Sequence, residues 1–240
     1  MAYYTSMLPH FPFVPTPDSK DQSIPESAKG TGVVHGDDKF YPDMVHRLDY
    51  NVGRLLDKLD ELGIAQNTIV IFVADNGTDQ HVNTSINGHS FRGGKGTLTD
   101  RATRVPMLIR WPGVINPGGI DEELVKVADF FPTLCELTNV PLPDQPIHGQ
   151  SFAERITGKG TKVEPREWVH IQRADDRYLR TKEWIVTDQG EFKKVQPYPT
   201  DAVKVEASSL DSETKRELQQ LKNELDSLLR DRPDVESNKR

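Results

Sequence analysis

The stretch DYNVGRLLDKLDELGIAQNTIVIFVADNG, residues 49–77, decides the fold class of this chain. Leucine and valine recur at three- and four-residue steps over residues 48–62, with charged side chains between them. That spacing predicts an amphipathic helix, which ends at Gly63 in the position after the C-cap. Residues 68–74 follow as a β-branched run without polar alternation, which is typical of a strand covered on both faces.

The elements predicted after that stretch indicate how the rest of the chain is organised. A helix followed by a buried strand indicates an α/β layer with a parallel sheet. Residues 105–111 predict a second strand of this kind, and the short apolar patch at residues 124–128 predicts a third. Asp129 is the predicted N-cap of a short helix. From residue 168 onward, short β-type runs separated by turn residues predict a small antiparallel sheet.

These patterns together predict an incomplete α/β layered sheet with helices, followed by a small antiparallel α+β subdomain. We place the α/β portion at residues 1–165, the small sheet at residues 166–200, and a terminal helix with a charged tail at residues 201–240. The terminal helix is indicated by one stripe of leucines, which comprises Leu218, Leu221, Leu225, Leu228 and Leu229. Beyond Arg230 charged residues predominate, which favours a disordered tail.

Composition limits the classes of function. The chain has 240 residues, 35% of them hydrophobic, which is enough for a core. A net charge of −7 disfavours a general nucleic-acid-binding surface. The longest wholly apolar run is residues 69–74, far short of the roughly 20 residues that span a bilayer, and the N-terminus lacks the pattern of a secretory signal. The single cysteine, Cys135, excludes an internal disulfide framework.

Asp75 and Asn76 are adjacent oxygen donors directly after the predicted buried strand. In open α/β sheets, ligands bind beyond the carboxyl ends of the strands. A carboxylate beside an amide carbonyl suits a hard cation such as calcium or magnesium. Asp-Asn-Gly is also a common turn sequence, so a plain turn is the alternative interpretation of these residues.

Lys95 lies in the glycine-rich string at residues 91–97. Its glycines let the backbone approach a ligand closely, and the ammonium group predicts an anion pocket. The string is not a Walker A loop, because His89 stands where the first glycine of that motif belongs and Gly96 follows the lysine. A surface turn with a solvated lysine is the alternative.

His10 follows Pro9 on an extended, proline-rich segment, residues 9–17. A histidine on such a segment is a candidate for contacting an oxyanion or protonating a leaving group. His81 and His89, in the polar loop that follows Asn76, are weaker candidates of the same kind. A packed or solvated histidine without a chemical role is the commoner case.

Together, and in this order, the motifs resemble the sulfatases of the alkaline-phosphatase superfamily. Residues 49–77 are similar to the segment that ends in the metal-binding Asp-Asn-Gly of that family. Residues 91–100 resemble its Gly-Gly-Lys-Gly loop, and residues 104–113 resemble its Arg-Val-Pro strand. Residues 127–143 match its Asp-x-x-Pro-Thr helix, and residues 8–19 match its upstream His-Pro segment.

The resemblance implies an alkaline-phosphatase-like fold and an arylsulfatase-type sulfuric ester hydrolase. It implies that Asp75 and Asn76 bind the divalent cation, usually calcium, with magnesium as the alternative. Lys95 would contact both the sulfate and the nucleophile, and His10 the sulfate or the leaving oxygen. His89 is a further candidate for substrate binding. The implied substrate is a small sulfated molecule, either an aryl or a carbohydrate sulfate.

Two parts of the family pattern are missing. The family's nucleophile is a formylglycine made from the cysteine of a C-x-P-x-R motif, and neither that motif nor S-x-P-x-R occurs here. Cys135 is followed by Glu-Leu-Thr-Asn, so it does not match the nucleophile, and the N-terminal Asp-Asp metal ligands are also missing. We therefore expect that residues 1–165 are the C-terminal part of a catalytic domain, with the formylglycine in a missing segment. The chain alone should bind the cation weakly and hydrolyse no sulfate ester.

Two other functions are compatible with these residues. A phosphodiesterase or phosphonate hydrolase of the same superfamily would share the metal site, and a non-catalytic module would retain only the anion pocket. A nucleotide-binding α/β protein is disfavoured by the failed Walker match and by the lack of G-x-G-x-x-G. The resemblance implies that the whole protein is periplasmic or secreted, although we find no signal peptide in this sequence. The sequence does not indicate an oligomeric state.

Overall fold

A computed structural model describes the chain as two compact units, residues 1–114 and 115–240. The residues described are 1–30, 34–86, 88–160, 163–198 and 200–230. The predicted charged tail lies outside them, as does the side chain of Leu229. Helices and strands in both units confirm the α/β class, while the predicted domain boundaries at residues 165 and 200 stay predictions.

The first helix, α1, spans Tyr41–Glu61 and confirms the amphipathic prediction. Gly63 ends it with φ at +67°, a left-handed conformation that glycine adopts without the strain of a side chain. The Gly63 N–H donates to the carbonyl of Asp60 at 3.0 Å, and the Ile64 N–H donates to that of Leu59 at 3.1 Å. The last carbonyls of α1 are satisfied in this way, and the chain turns toward the first strand.

The first strand, β1, spans Val70–Val73 and confirms the predicted strand. Among the described residues its strand neighbour is β4, Met107–Arg110, which runs antiparallel with Val73 opposite Met107. The predicted parallel pairing is therefore wrong for this pair, and so is the predicted full burial, since Leu108 is 62% exposed. An apolar run indicates that both strand faces need cover, but it carries no information on the direction of the neighbouring strand.

A hairpin and one helical turn connect these strands. The hairpin pairs β2, Asn83–Ile86, with β3, His89–Arg92, within the loop that was predicted to be polar and irregular. The helical turn α2, Asp100–Thr103, follows. Buried side chains form the core of this unit. They come from the N-terminal segment, from α1 and the turn before it, and from the residue that precedes the hairpin: Phe13, Phe40, Met44 and Val82.

The second unit begins with irregular chain where the third strand was predicted. Residues 124–128 form no strand, so that prediction is wrong. A carboxylate oxygen of Asp129 accepts from the Lys126 N–H at 2.8 Å and holds Val127–Asp129 in a 3₁₀ turn. Asp129 occupies the predicted N-cap position of α3, Phe130–Leu137, but its side chain makes no capping bond to that helix. The short helix α4, Ala153–Thr157, completes this part.

The predicted small antiparallel sheet is confirmed. Its five strands lie in chain order, each antiparallel to the next: β5 (Val169–Arg173), β6 (Asp176–Arg180), β7 (Trp184–Thr187), β8 (Phe192–Lys194) and β9 (Val203–Val205). The strand β9 lies beyond residue 200, the predicted end of the sheet.

The predicted terminal helix, α5, spans Ser212–Arg230 and contacts β6 and β7. Leu218 and Leu225 from its leucine stripe are fully buried, as are Leu179 and Val186 of the sheet. The Asp211 carboxylate accepts from the N–H groups at the start of the helix, at 2.9 Å in each case. The helix therefore closes a complete two-layer core with the sheet.

Candidate functional site

The two candidate cation ligands lie in the turn that leaves β1. Asp75 is exposed and Asn76 is half-buried, and no hydrogen bond within the described part of the chain engages either side chain. The next residue, Gly77, donates its N–H to the carbonyl of Ala102 at 2.8 Å. A Cβ on Gly77 would come within 1.9 Å of the carbonyl oxygen of Arg101, so glycine is required here. The turn is thus anchored against α2 while its oxygen donors stay available.

The structure brings the lysine loop to the segment that follows this turn. The Lys95 N–H donates to the carbonyl of Thr78 at 2.9 Å, and the side-chain amide of Gln80 donates to the Lys95 carbonyl at 2.7 Å. Gly93 allows the approach, because a Cβ there would lie 2.0 Å from the carbonyl oxygen of Asp79. The predicted cation turn and the predicted anion loop therefore belong to one hydrogen-bonded assembly.

His10 reaches the same assembly through Phe11. The ammonium nitrogen of Lys95 lies 5.7 Å from the centroid of the Phe11 ring, within cation–π range. The ring of His10 lies 4.3 Å from that of Phe11. Nδ1 of His10 donates to the Phe11 carbonyl at 2.6 Å. Because a carbonyl only accepts, Nδ1 carries a proton and Nε2 is left for a ligand.

The structure does not bring His89 to these residues. His89 begins β3 opposite Ile86 and is exposed. Across the described ranges, no hydrogen bond or ring contact joins it to His10 or Lys95. Its role in substrate binding stays a prediction.

A second cluster joins His35, Asp79 and His81, of which sequence reasoning singled out only His81. Nδ1 of His81 lies 2.8 Å from a carboxylate oxygen of Asp79, which also accepts from the His81 backbone N–H at 2.9 Å. The His35 and His81 ring centroids are 3.8 Å apart. One possible metal-ligand atom from each of the three residues lies within 4.8 Å of the others.

The electrostatics of this cluster keep its carboxylate ionised. Partial burial opposes the charge on Asp79, but the hydrogen bonds from the backbone and ring of His81 hold the pKa of that carboxyl below its usual range. Asp79 and His81 lie in a turn that is closed by the Val82 N–H donating to the Asp79 carbonyl at 3.1 Å. Their spacing was a usable sequence signal, because an aspartate side chain commonly accepts from the backbone N–H two residues on in such turns. No such signal marked His35, which comes from a distant segment without periodicity.

The remaining predicted features concern Cys135 and the membrane. Cys135 is 8% exposed on α3, so it is a buried core residue. Within the described residues, no helix is both long enough and apolar enough to cross a bilayer.

Comparison with known proteins gives one consistent family. The family model described as Sulfatase matches residues 1–140. The chain is 36% identical over 160 residues to mouse (Mus musculus) steryl-sulfatase, covering 63% of this chain and 24% of that protein. It is 35% identical over 160 residues to human (Homo sapiens) arylsulfatase A, covering 66% of this chain and 29% of that protein. The matched part of the chain thus spans less than a third of the length of each of these two relatives.

A solved structure extends the match to the fold. BT4656, determined in complex with its substrate D-glucosamine-2-N,6-O-disulfate, superposes with a TM-score of 0.58 at 21% identity. The superposition covers 83% of this chain and 42% of BT4656. At this identity the likeness concerns the fold alone, and it supports the alkaline-phosphatase-like layered architecture predicted from the sequence.

Proposed function

The chain belongs to the sulfatase family, and on that premise we propose that it supplies the cation turn and the lysine loop of an arylsulfatase-type site that hydrolyses sulfate esters. The main support is the hydrogen bonding between the segment after Asp75 and Asn76 and the backbone of Lys95. That bonding links the segment after the candidate cation ligands to the lysine loop, which supports a site that holds a cation and a charged ester together.

Asp75 and Asn76 are the proposed ligands of a calcium ion, with magnesium as the alternative. Their oxygens fit a hard cation, and no described residue engages either side chain in a hydrogen bond. When bound, such a cation neutralises charge that develops on the ester oxygens. Calcium takes six to eight oxygen ligands, so two side chains predict weak binding by this chain alone.

Lys95 and His10 are the proposed contacts to the sulfate. The ammonium group of Lys95 would stabilise the negative charge on the sulfuryl oxygens, and its backbone is held at both ends by Thr78 and Gln80. Since Nδ1 of His10 is committed to a carbonyl, Nε2 is the nitrogen that would contact the sulfate or give a proton to the leaving oxygen. His89 stays a weaker candidate for substrate binding.

Hydrolysis also needs a nucleophile that this sequence does not contain. The chain has no C-x-P-x-R motif, and its one cysteine is a buried residue of α3. We infer that the formylglycine belongs to a different segment of the whole protein and that this chain alone is inactive. The expected substrate is a small aryl or carbohydrate sulfate, and export of the whole protein is likewise a proposal.

Calcium titration of the purified chain tests the metal assignment. We expect weak binding in calorimetry that is lost in Asp75→Ala and retained in Asp57→Ala, which removes an exposed carboxylate of α1. Equal calcium binding by both variants would refute the assignment of Asp75.

An activity assay tests the second half of the proposal. The purified chain should not hydrolyse an aryl sulfate, and turnover at the rate of a complete sulfatase would overturn the expectation of inactivity. Turnover of an aryl phosphodiester or a phosphonate ester, with none of the aryl sulfate, would favour the alternative hydrolase. Sulfate binding that persists in both Asp75→Ala and Lys95→Ala would contradict both hydrolase proposals.

A further inference from the structure

We propose that His35, Asp79 and His81 form a second metal site, which binds a divalent transition-metal ion, with zinc as the ion that fits best. The site does not depend on the proposed function, because it shares no ligand with the turn at Asp75 and Asn76. All three side chains belong to the first unit, and one ligand atom from each lies within 4.8 Å of the other two.

The donor set distinguishes this site from the proposed calcium site. Calcium and magnesium prefer oxygen ligands. Two imidazoles with one carboxylate are instead the protein ligands of known zinc sites that keep an open coordination position. The same set suits other late first-row metals, and zinc and copper bind such ligands more tightly than manganese or iron does.

The geometry is close to that of a bound site. Zinc bonds of about 2.0–2.1 Å in a tetrahedron place ligand atoms about 3.4 Å apart, so the widest separation in the cluster must close by about 1.4 Å at most. Nδ1 of His81 and a carboxylate oxygen of Asp79 share a hydrogen bond at 2.8 Å, so an ion that binds both atoms must displace its proton and separate them by about 0.6 Å. Because the ring of His81 is exposed, it can adjust without displacing core side chains.

The backbone carrying the ligands is fixed. The His35 carbonyl accepts from the Phe13 N–H at 2.7 Å, and Phe13 is a fully buried core residue. The backbone of Asp79 packs so closely on Gly93 that a side chain there would collide with it. Ligands held by a rigid backbone lose little freedom when an ion binds.

His35 has an uncommitted ring nitrogen. Its Nδ1 is buried and finds no hydrogen-bond partner among the described residues. Buried polar atoms are almost always paired, so an unpaired one calls for a ligand.

The surroundings of the cluster favour a cation over an anion. His35 and His81 line a cavity of about 320 Å³ together with Asp37 and Asp38, and no lysine or arginine is among its described lining residues. The nearest basic side chain in sequence, Lys39, forms ion pairs with carboxylates, at 3.0 Å from Asp21 and 3.3 Å from Asp37. A dication would therefore enter an acidic cavity from the exposed side of His81.

Cobalt is the probe that tests the site, because cobalt(II) bound by imidazole absorbs visible light and competes with zinc. The chain, stripped of metal with a chelator, should bind one cobalt ion that zinc displaces. We expect His35→Ala and His81→Ala each to weaken cobalt binding at least tenfold. His89→Ala, an exposed histidine outside the cluster, and Asp75→Ala should bind cobalt as the unmodified chain does.

The proposal would be overturned if the unmodified chain bound no cobalt at about 0.1 mM, a concentration about tenfold above the dissociation constant of a 10 μM site. It would also be overturned if the His35 and His81 variants bound cobalt as tightly as the unmodified chain, or if His89→Ala lost cobalt binding. Circular dichroism of each variant shows whether a loss of binding reflects unfolding. If His35→Ala unfolds, cobalt binding by His81→Gln is the deciding measurement, because the side chain of His81 lies at the surface. Loss of cobalt binding in Asp75→Ala would mean that the metal sits in the calcium turn, which refutes the second site and leaves the proposed function standing.

Discussion

Two sheets in this chain are built from similar apolar strands but differ in how far they are buried. In the first unit, Leu108 of β4 is 62% exposed and Val73 of β1 is 37% exposed. In the second unit, Leu179 of β6 and Val186 of β7 are fully buried. The difference shows that an apolar strand indicates a need for cover, whereas the cover itself must come from another element.

The source of the cover explains the difference. In the second unit, the leucine stripe of α5 packs on the sheet strands that precede it, so sheet and helix complete one core. In the first unit, β1 and β4 form a two-stranded sheet among the described residues, and the apolar stripe of α1 leaves Leu55 51% exposed. A two-stranded sheet alone is marginally stable. We therefore expect the second unit to carry most of the stability of the isolated chain.

The largest expected effect comes from Asp129, which the second unit buries at its centre. Its carboxylate accepts from Gln150 N–H at 2.8 Å and from the Arg166 guanidinium at 2.6 Å, besides Lys126 N–H. Asp129→Ala would leave a buried arginine unpaired, which costs about 3–5 kcal/mol. Urea unfolding followed by circular dichroism measures the loss, with the exposed Asp144→Ala as control. A loss below about 1 kcal/mol would show that Asp129 does not hold the unit together.

The comparison of the two sheets is tested directly by one substitution made in each. Leu179→Ala removes a fully buried side chain and should cost about 2–5 kcal/mol of unfolding free energy. Leu108→Ala, at a 62% exposed position, should change it by about 0.5 kcal/mol or less. Equal losses of unfolding free energy in the two variants would mean that β4 is covered in solution. The proposed difference in burial between the two sheets would then be wrong.

A charge introduced into the exposed sheet should improve the behaviour of the chain. Leu108→Lys reduces an exposed apolar surface, so it should lower both dye binding by exposed hydrophobic groups and self-association. Fluorescence of a hydrophobic probe and sedimentation velocity measure the two effects. Leu179→Lys is the matched variant in the second unit and should unfold it. If Leu108→Lys also unfolds the chain, the β1–β4 face is not a free surface.

The smallest effect concerns the start of α5. The backbone N–H and hydroxyl of Thr214 donate to Asp211 and lower the pKa of that carboxyl from its usual 3.8. A lowered folded pKa means that the stabilisation is present above pH 3.8 and is lost as pH falls through the folded value. Asp211→Ala should therefore slightly reduce helicity at pH 7, and the difference should vanish in strong acid. Glu224→Ala, on the exposed face of α5, should lack this pH dependence.

Local patterns predicted much of the fold. The helix α1, the strand character of β1 and four of the five strands of the small sheet follow from periodicity and turn residues. The patch at residues 124–128 misled the prediction, because the hydrogen bond from the Lys126 N–H to the Asp129 carboxylate, which holds residues 127–129 in a 3₁₀ turn, outweighs a weak apolar signal. The strand β9 was missed because residues 203–205 follow a proline-containing stretch at residues 197–199, and their pairing with β8 is a tertiary contact.

The sequence likewise predicted part of the candidate site and missed the metal-ligand cluster beside it. Motif order indicated Asp75, Asn76, Lys95 and His10, and the family that these motifs resemble is confirmed. Their roles stay proposals. The cluster at His35, Asp79 and His81 was beyond reach, because His35 is more than forty residues away in sequence and only the pairing of Phe13 with residues 35–37 brings it to His81.

The sequence by itself determined the local elements, the family and the kinds of donor atoms, because these depend on short-range periodicity and on side-chain chemistry. Only the tertiary structure decided the antiparallel pairing of β1 with β4, the joining of the lysine loop to the cation turn, and the meeting of two histidines over a carboxylate. Each of those depends on backbone hydrogen bonds and close packing between distant segments. Such contacts follow from how the whole chain shares its buried surface, and no local pattern encodes them.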